Sequence, residues 1–156
     1  LFWTDAPDRE SLLVDVYRVL HHAGAVLLST YMKDSFREFY DLYAETLAKF
    51  DMLHVVPALQ AEQASLLDEA EATALLEDHG FSMCRVLTFE LPMEFSGSKD
   101  LLSSPLVNAL WISRWNAIGG EEAERILWHL REAIDRYFAA RPMRLTIRIG
   151  LLSGLK

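Results

Sequence analysis

The sequence predicts an α/β protein, an open sheet with helices packed on it. Two strand patterns and the helical periodicities around them carry this expectation. Ala25-Val26-Leu27-Leu28 is apolar without alternation, the pattern of a strand covered on both faces in a parallel sheet. Arg144 to Leu151 alternates, with Leu145, Ile147, Ile149 and Leu151 on one side, which suits an antiparallel strand with one polar face. Amphipathic segments with identifiable starts and stops occupy the intervals.

Asp5-Ala6-Pro7-Asp8 has the makings of a helix start, with an acidic cap, a proline in the first turn and carboxylates at the positive end of the dipole. Leu12, Leu13, Val16, Val19 and Leu20 then recur at helical spacing, and Gly24 suits a left-handed stop. After the buried strand, Ser35 and Glu38 have capping-box spacing. Phe36, Phe39, Tyr40, Tyr43, Leu47 and Phe50 form one aromatic stripe, which is either plain packing or the lid of a pocket. Residues 51–64 read as irregular around Pro57. Asp68 and Glu71 open the next helix, and Gly80-Phe81 stops it.

Met83 to Leu91 reads as a strand with Arg85, Leu87, Phe89 and Leu91 on one face, and residues 92–104 as a loop. Ser104-Pro105 opens a helix carrying Leu106, Leu110, Trp111 and Ile118, which Gly119-Gly120 breaks. Glu121, Glu122 and Glu124 begin the last helix, expected to bury Ile126, Leu127, Leu130, Ile134 and Tyr137 before Pro142 ends it.

The 156 residues fit one domain, and a chain 51% hydrophobic and 24% charged can bury a core. No apolar run approaches the ~20 residues that span a bilayer. A net charge of −8 argues against a nucleic-acid or anionic-membrane surface. Cys84 is the single cysteine, so there is no internal disulfide and no cysteine-based metal cage, which fits a reducing cytoplasm. No His/Asp/Glu set has metal-ligand spacing.

Several segments together resemble the second half of a class I S-adenosylmethionine-dependent methyltransferase. Phe2-Trp3 stands where that family ends a strand. Arg18-Val19-Leu20 matches its "RVL" helix end, and Ala25 to Thr30 its fifth strand. Leu66-Leu67-Asp68-Glu69-Ala70-Glu71, Leu75-Leu76 and Gly80-Phe81, followed by Arg85-Val86-Leu87, are similar to the segment written "eel..lL..aGF..v.v". His22-Ala23-Gly24-Ala25 departs from the family's Pro-Gly-Gly turn, although a single glycine can still make it. The helical insert after the fifth strand is similar to small-molecule methyltransferases, the nearest arrangement being those acting on a malonyl carrier-protein thioester in biotin synthesis.

The resemblance implies a Rossmann-like methyltransferase sheet running from the end of strand four to strand seven, the last strand antiparallel, with helices packed on it and a helical insert. Residues 1–156 would be a single partial domain. None of the seven glycines forms a Gly-x-Gly loop between a strand and a helix, so the cofactor-gripping half is expected before Leu1. The isolated chain is then expected to be inactive, and the open edge of the fifth strand to invite self-association.

Methyl transfer needs alignment and exclusion of water, and a general base only where the nucleophile must lose a proton. Reacting atoms lie beyond the carboxyl ends of the strands in such a sheet. By the resemblance, Phe2, Trp3 and Thr4 sit beside the methionine part of S-adenosylmethionine. Ser29, Thr30 and Tyr31 at the tip of the fifth strand, with Tyr40 and Tyr43 on the aromatic stripe, are the candidate contacts for a small-molecule substrate. Each also reads as ordinary packing or a strand-end hydrogen bond.

His54 is the candidate base, while His21 and His22 suit a helix C-terminus and His129 a helix surface. Arg144 and Arg148 share a strand face, where they could meet an anion or simply water. Two rival readings remain: a stand-alone α/β interaction module using the aromatic helix and the Trp111/Trp115 segment, and one chain of a split enzyme.

Overall fold

The computed structural model describes residues 2–3 and 9–156, the first two by backbone alone. Thr4 and the expected helix start at Asp5-Ala6-Pro7-Asp8 lie outside the described residues. In chain order the elements are β1 (Phe2–Trp3), α1 (Arg9–Val19), β2 (Ala25–Tyr31), α2 (Arg37–Lys49), a 3-10 turn (Leu53–Val55) and α3 (Val56–Ala64). Then come α4 (Glu69–Asp78), β3 (Ser82–Phe95), α5 (Ser98–Ser103), α6 (Pro105–Leu110), α7 (Ile112–Gly119), α8 (Ala123–Tyr137) and β4 (Met143–Leu155).

The sheet order is β1-β2-β4-β3. β1 runs parallel to β2, and β4 antiparallel to β2 from Ala25↔Leu155 to Tyr31↔Ile149. Side-chain contacts from Ser82 to Leu155, Arg85 to Ser153 and Glu90 to Arg148 run in opposite directions along β3 and β4, so that pair is antiparallel too. The expected antiparallel last strand is therefore present, and it lies inside the sheet rather than at its edge. β1 covers only Ser29 and Thr30 of β2, and among the described residues no strand pairs Ala25–Leu28 on that side.

The chain divides into two compact units: 1–35, 65–91 and 147–156 form a sheet unit, and 36–64 and 92–146 a helical unit. In the sheet unit, α1 and α4 bury Leu13, Ala72 and Leu76 against Val26, Leu28 and Leu152, with Phe81 and Met32 completing the cluster. The α4 start is the predicted capping box: Glu71 N–H donates to Asp68 at 2.9 Å and Asp68 N–H to Glu71 at 2.8 Å. Gly80, at φ 86, makes the left-handed stop, and Phe81 turns inward with Tyr17 edge-on at 5.2 Å.

At the end of α1 the left-handed residue is Ala23 (φ 61), not Gly24 as expected. Gly24 serves another need, since a Cβ there would stand 2.8 Å from the His21 carbonyl oxygen.

Arg85, Leu87, Phe89 and Leu91 do share one face of β3, and it is the outward one. Met83, Leu87, Phe89 and Leu91 are 48–69% exposed, while Cys84 and Val86 pack on the core. β4 changes phase along its length. Met143, Leu145 and Ile147 are buried at one end; Gly150, Leu152 and Gly154 are buried at the other, and Leu151 is only half-buried.

The helical unit departs more from expectation. Ser35 and Glu38 form no capping box, because Phe36 between them is left-handed (φ 58). Ser35 Oγ instead donates to the Arg148 carbonyl at 2.9 Å, and Glu38 accepts from Thr146 Oγ1 at 2.7 Å. The stretch around Pro57 is helical, since proline in a first turn removes no hydrogen bond that the helix would make. Within residues 92–104, expected as a loop, β3 continues to Phe95 and α5 follows. The helix from Pro105 breaks at Trp111 into α6 and α7.

The aromatic stripe is core. Phe39 stacks on Trp115 at 3.9 Å, and Phe36 meets Trp111 at 4.5 Å. Trp111 and Trp115 are fully buried, so neither side chain is available to a partner. Tyr137, expected inside, is half exposed and donates to Glu45 at 2.7 Å.

Candidate functional site

In the sheet unit the parallel pairing sets Phe2 beside Ser29 and Trp3 beside Thr30, at the carboxyl ends of adjacent strands. Two sets of sequence-predicted positions thus become backbone neighbours. Thr30 and Tyr31 are buried and Ser29 half-buried. Beyond Tyr31 the chain bridges in parallel to the segment before α4, Met32 pairing with Leu67 and Lys33 N–H donating to the Leu67 carbonyl at 2.8 Å.

That bridge fixes a charged rim. Lys33 lies 3.7 Å from Asp68 and 3.6 Å from Glu71. Arg148 lies 3.5 Å from Asp34, 3.6 Å from Glu90 and 3.9 Å from Glu69. The cap itself, through the Glu71 N–H first and Lys33 after it, holds the Asp68 carboxyl below the usual carboxylate range. Arg148 was legible in the sequence as a strand-face cation. Its carboxylate partners were not, because they come from three separate segments.

In the helical unit, Tyr40 and Tyr43 are interior residues. Burial pushes the Tyr43 hydroxyl up to about 12, and burial together with the charge of Glu62 raises Tyr40 further. Among the described residues the Tyr40 hydroxyl makes no hydrogen bond in good geometry, although Trp115 and Glu62 stand near enough to affect its titration. Glu62 and Arg114, with side chains 16% and 13% exposed, pair at 2.6 Å. Residue type alone could not reveal that buried pair, which joins α3 to α7. His54, the candidate base, lies on the surface of this unit with its side chain 66% exposed and Nε2 2.6 Å from Glu122.

Among the described residues, no group of three or more His, Cys, Asp or Glu side chains could hold a metal ion, and no helix is long and apolar enough to cross a membrane. No family model and no curated protein matches the chain. Among solved structures it is similar to phospholethanolamine N-methyltransferase 2 of Haemonchus contortus, in complex with phosphomonomethylethanolamine and S-adenosylhomocysteine, at 13% identity and a TM-score of 0.37. The match covers 96% of this chain and 30% of that one, so the chain spans under a third of that protein's length. At that level the likeness carries no argument about family or activity.

Proposed function

We propose that the chain forms the C-terminal portion of a class I S-adenosylmethionine-dependent methyltransferase domain, whose whole enzyme methylates a small-molecule acceptor. The supporting observation is the strand arrangement, with β1 and β2 parallel through α1 and the antiparallel β4 between β2 and β3. The residues that carry the resemblance occupy fitting places in it. Val19 closes α1, Ala25 opens β2, and Gly80-Phe81 stops α4 ahead of β3.

On this reading the cofactor supplies the activated methyl group. Phe2 and Trp3 border it, and Ser29, Thr30 and Tyr31 orient the acceptor at the strand end; Tyr40 and Tyr43, buried inside the helical unit, take no part. No residue is assigned as base, because the exposed His54 ring is engaged by Glu122. Alignment and exclusion of water then supply the rate enhancement from this portion. No Gly-x-Gly loop follows a strand in this sequence, so the reading places the main cofactor contacts outside it.

Calorimetry of this 156-residue chain with S-adenosylmethionine is expected to show no saturable binding, and tight stoichiometric binding would falsify the partial-domain reading. The coding sequence before Leu1 is expected to encode an in-frame strand, Gly-x-Gly turn and helix; a stop codon there overturns the same reading. The open edge of β2 at Ala25–Leu28 is the proposed route of self-association, expected as a concentration-dependent mass in light scattering.

A further inference from the structure

The helical unit contains a cavity of about 240 Å³ between α2 and α8. Its deepest lining is apolar. Leu42 and Thr46 are buried and Ala133 half-buried, and the Thr46 hydroxyl is spent on the Leu42 carbonyl at 2.8 Å. Its walls are flat rings. Phe50 and His129 stack at 3.5 Å with their planes 17° apart, and Trp128 stands 4.9 Å from His129 with its plane turned by 72°. The stack and the indole therefore make a corner. A ring lying flat on one wall meets the other edge-on, and these are the two arrangements that aromatic pairs favour. Trp128 is 58% exposed and Tyr137 50%, a large aromatic area to leave in water.

Charge does not single out a ligand here. Glu45 and Glu132 line the cavity together with Lys49 and Arg136, so the formal charges cancel. All four residues are exposed. At such positions a charge contact is screened and changes affinity by less than about fivefold. Stacking a ring on an aromatic wall contributes about tenfold or more. The rings outweigh the rim.

We propose that the α2–α8 cavity binds a compact bicyclic aromatic molecule, recognised by its ring and not by its charge. The ring would fill the corner between Trp128 and the Phe50–His129 stack, over the floor at Ala133. The volume falls just below the roughly 300 Å³ at which ligand pockets begin, which limits the ligand to a small ring system. An aliphatic molecule of the same size would cover the floor and leave both ring walls unused. This inference does not depend on the methyltransferase reading, since none of its residues belongs to the strand-end site.

The test is an NMR titration of the ¹⁵N-labelled full chain with indole, indole-3-acetate and tryptamine, which carry the same ring with no charge, a negative charge and a positive charge. The Trp128 indole N–H, identified by its loss in Trp128→Phe, and the Thr46 and Ala133 amides are expected to shift saturably. The amides of Leu87 and Phe89, on the open face of the sheet unit, should hold still. The three compounds should bind within about fivefold of one another. Trp128→Ala, at an exposed position, should weaken indole about tenfold at the Thr46 amide, and Trp128→Phe, which keeps a ring, should recover most of that loss. Ala133→Phe fills the floor and should abolish the shift of the Trp128 indole. The proposal is overturned by the absence of a saturable shift, by affinities more than fivefold apart across the charge series, by equal shifts at Leu87 and Phe89, or by wild-type binding in Trp128→Ala or in folded Ala133→Phe.

Discussion

The two ends of the β3–β4 ribbon bury different sets of side chains. In the sheet unit Cys84, Val86 and Leu152 turn inward; in the helical unit Phe95, Met143 and Leu145 do. The cores differ as well. The sheet unit packs mostly aliphatic side chains on one face and leaves Leu27, Leu87, Phe89 and Leu91 open on the other. The helical unit stacks Phe36, Phe39, Trp111 and Trp115 in a fully enclosed centre. Alternation in a strand identifies which residues share a face. Whatever packs over the strand decides which face is buried, and that can change within one strand.

The largest test of the contrast is Trp115→Ala, which removes the ring stacked on Phe39. It should cost about 3–5 kcal/mol in urea unfolding, and a loss under about 1 kcal/mol would show that the aromatic centre is not what holds the helical unit. Gly150→Ala probes the sheet unit, because a Cβ there would overlap the buried Met32 sulfur. Overpacking of that kind should cost about 1–3 kcal/mol, partly recovered by trimming Met32 in a double variant.

The α4 cap gives a pH-dependent test. Asp68 has a depressed folded pKa, so its contribution is complete above the ordinary carboxylate value near ~3.9 and is lost as pH falls through the lower folded value. Asp68→Asn keeps a cap without titrating, and the melting-temperature gap to the wild type should be constant near neutrality and shrink only in acid. A gap that shrinks already at neutral pH would discredit the assignment.

Ala23→Gly should stabilise by about 0.5–1 kcal/mol, because glycine relieves the left-handed strain at φ 61 more than it adds unfolded-state freedom. The smallest effect is expected for Leu87→Lys on the open face of β3, within about 0.5 kcal/mol in thermal melts.

Where local chemistry decided the structure, the sequence was legible. The Asp68–Glu71 cap, the Gly80-Phe81 stop, the antiparallel last strand and the presence of a strand at Ala25 follow from neighbours a few residues apart, but that strand is open on one face at Leu27 and not covered on both as its unbroken apolar run suggests. It misled where distant partners won. Ser35 and Glu38 have capping-box spacing, yet Arg148 and Thr146 take their hydrogen bonds. Pro57 marked a break only until its place in a first turn was known. At the candidate site, the nearness of Phe2-Trp3 to Ser29-Thr30 depends on strand pairing, and the burial of Tyr40 depends on helices some 20 to 75 residues later in the chain, around Glu62 and Trp115. No local pattern encodes either.

The position of β4 also sets a timetable for folding. Met143–Leu155 is the last strand in the chain, yet it lies between β2 and β3, whose pairing with it completes the sheet. During synthesis β2 emerges more than a hundred residues before its neighbour, and both flanking strands must wait with their hydrogen-bonding edges unfilled. Closing such distant pairings is slow, and the waiting edges are available to the wrong partners. Until β4 has been made, no part of the chain can close this sheet.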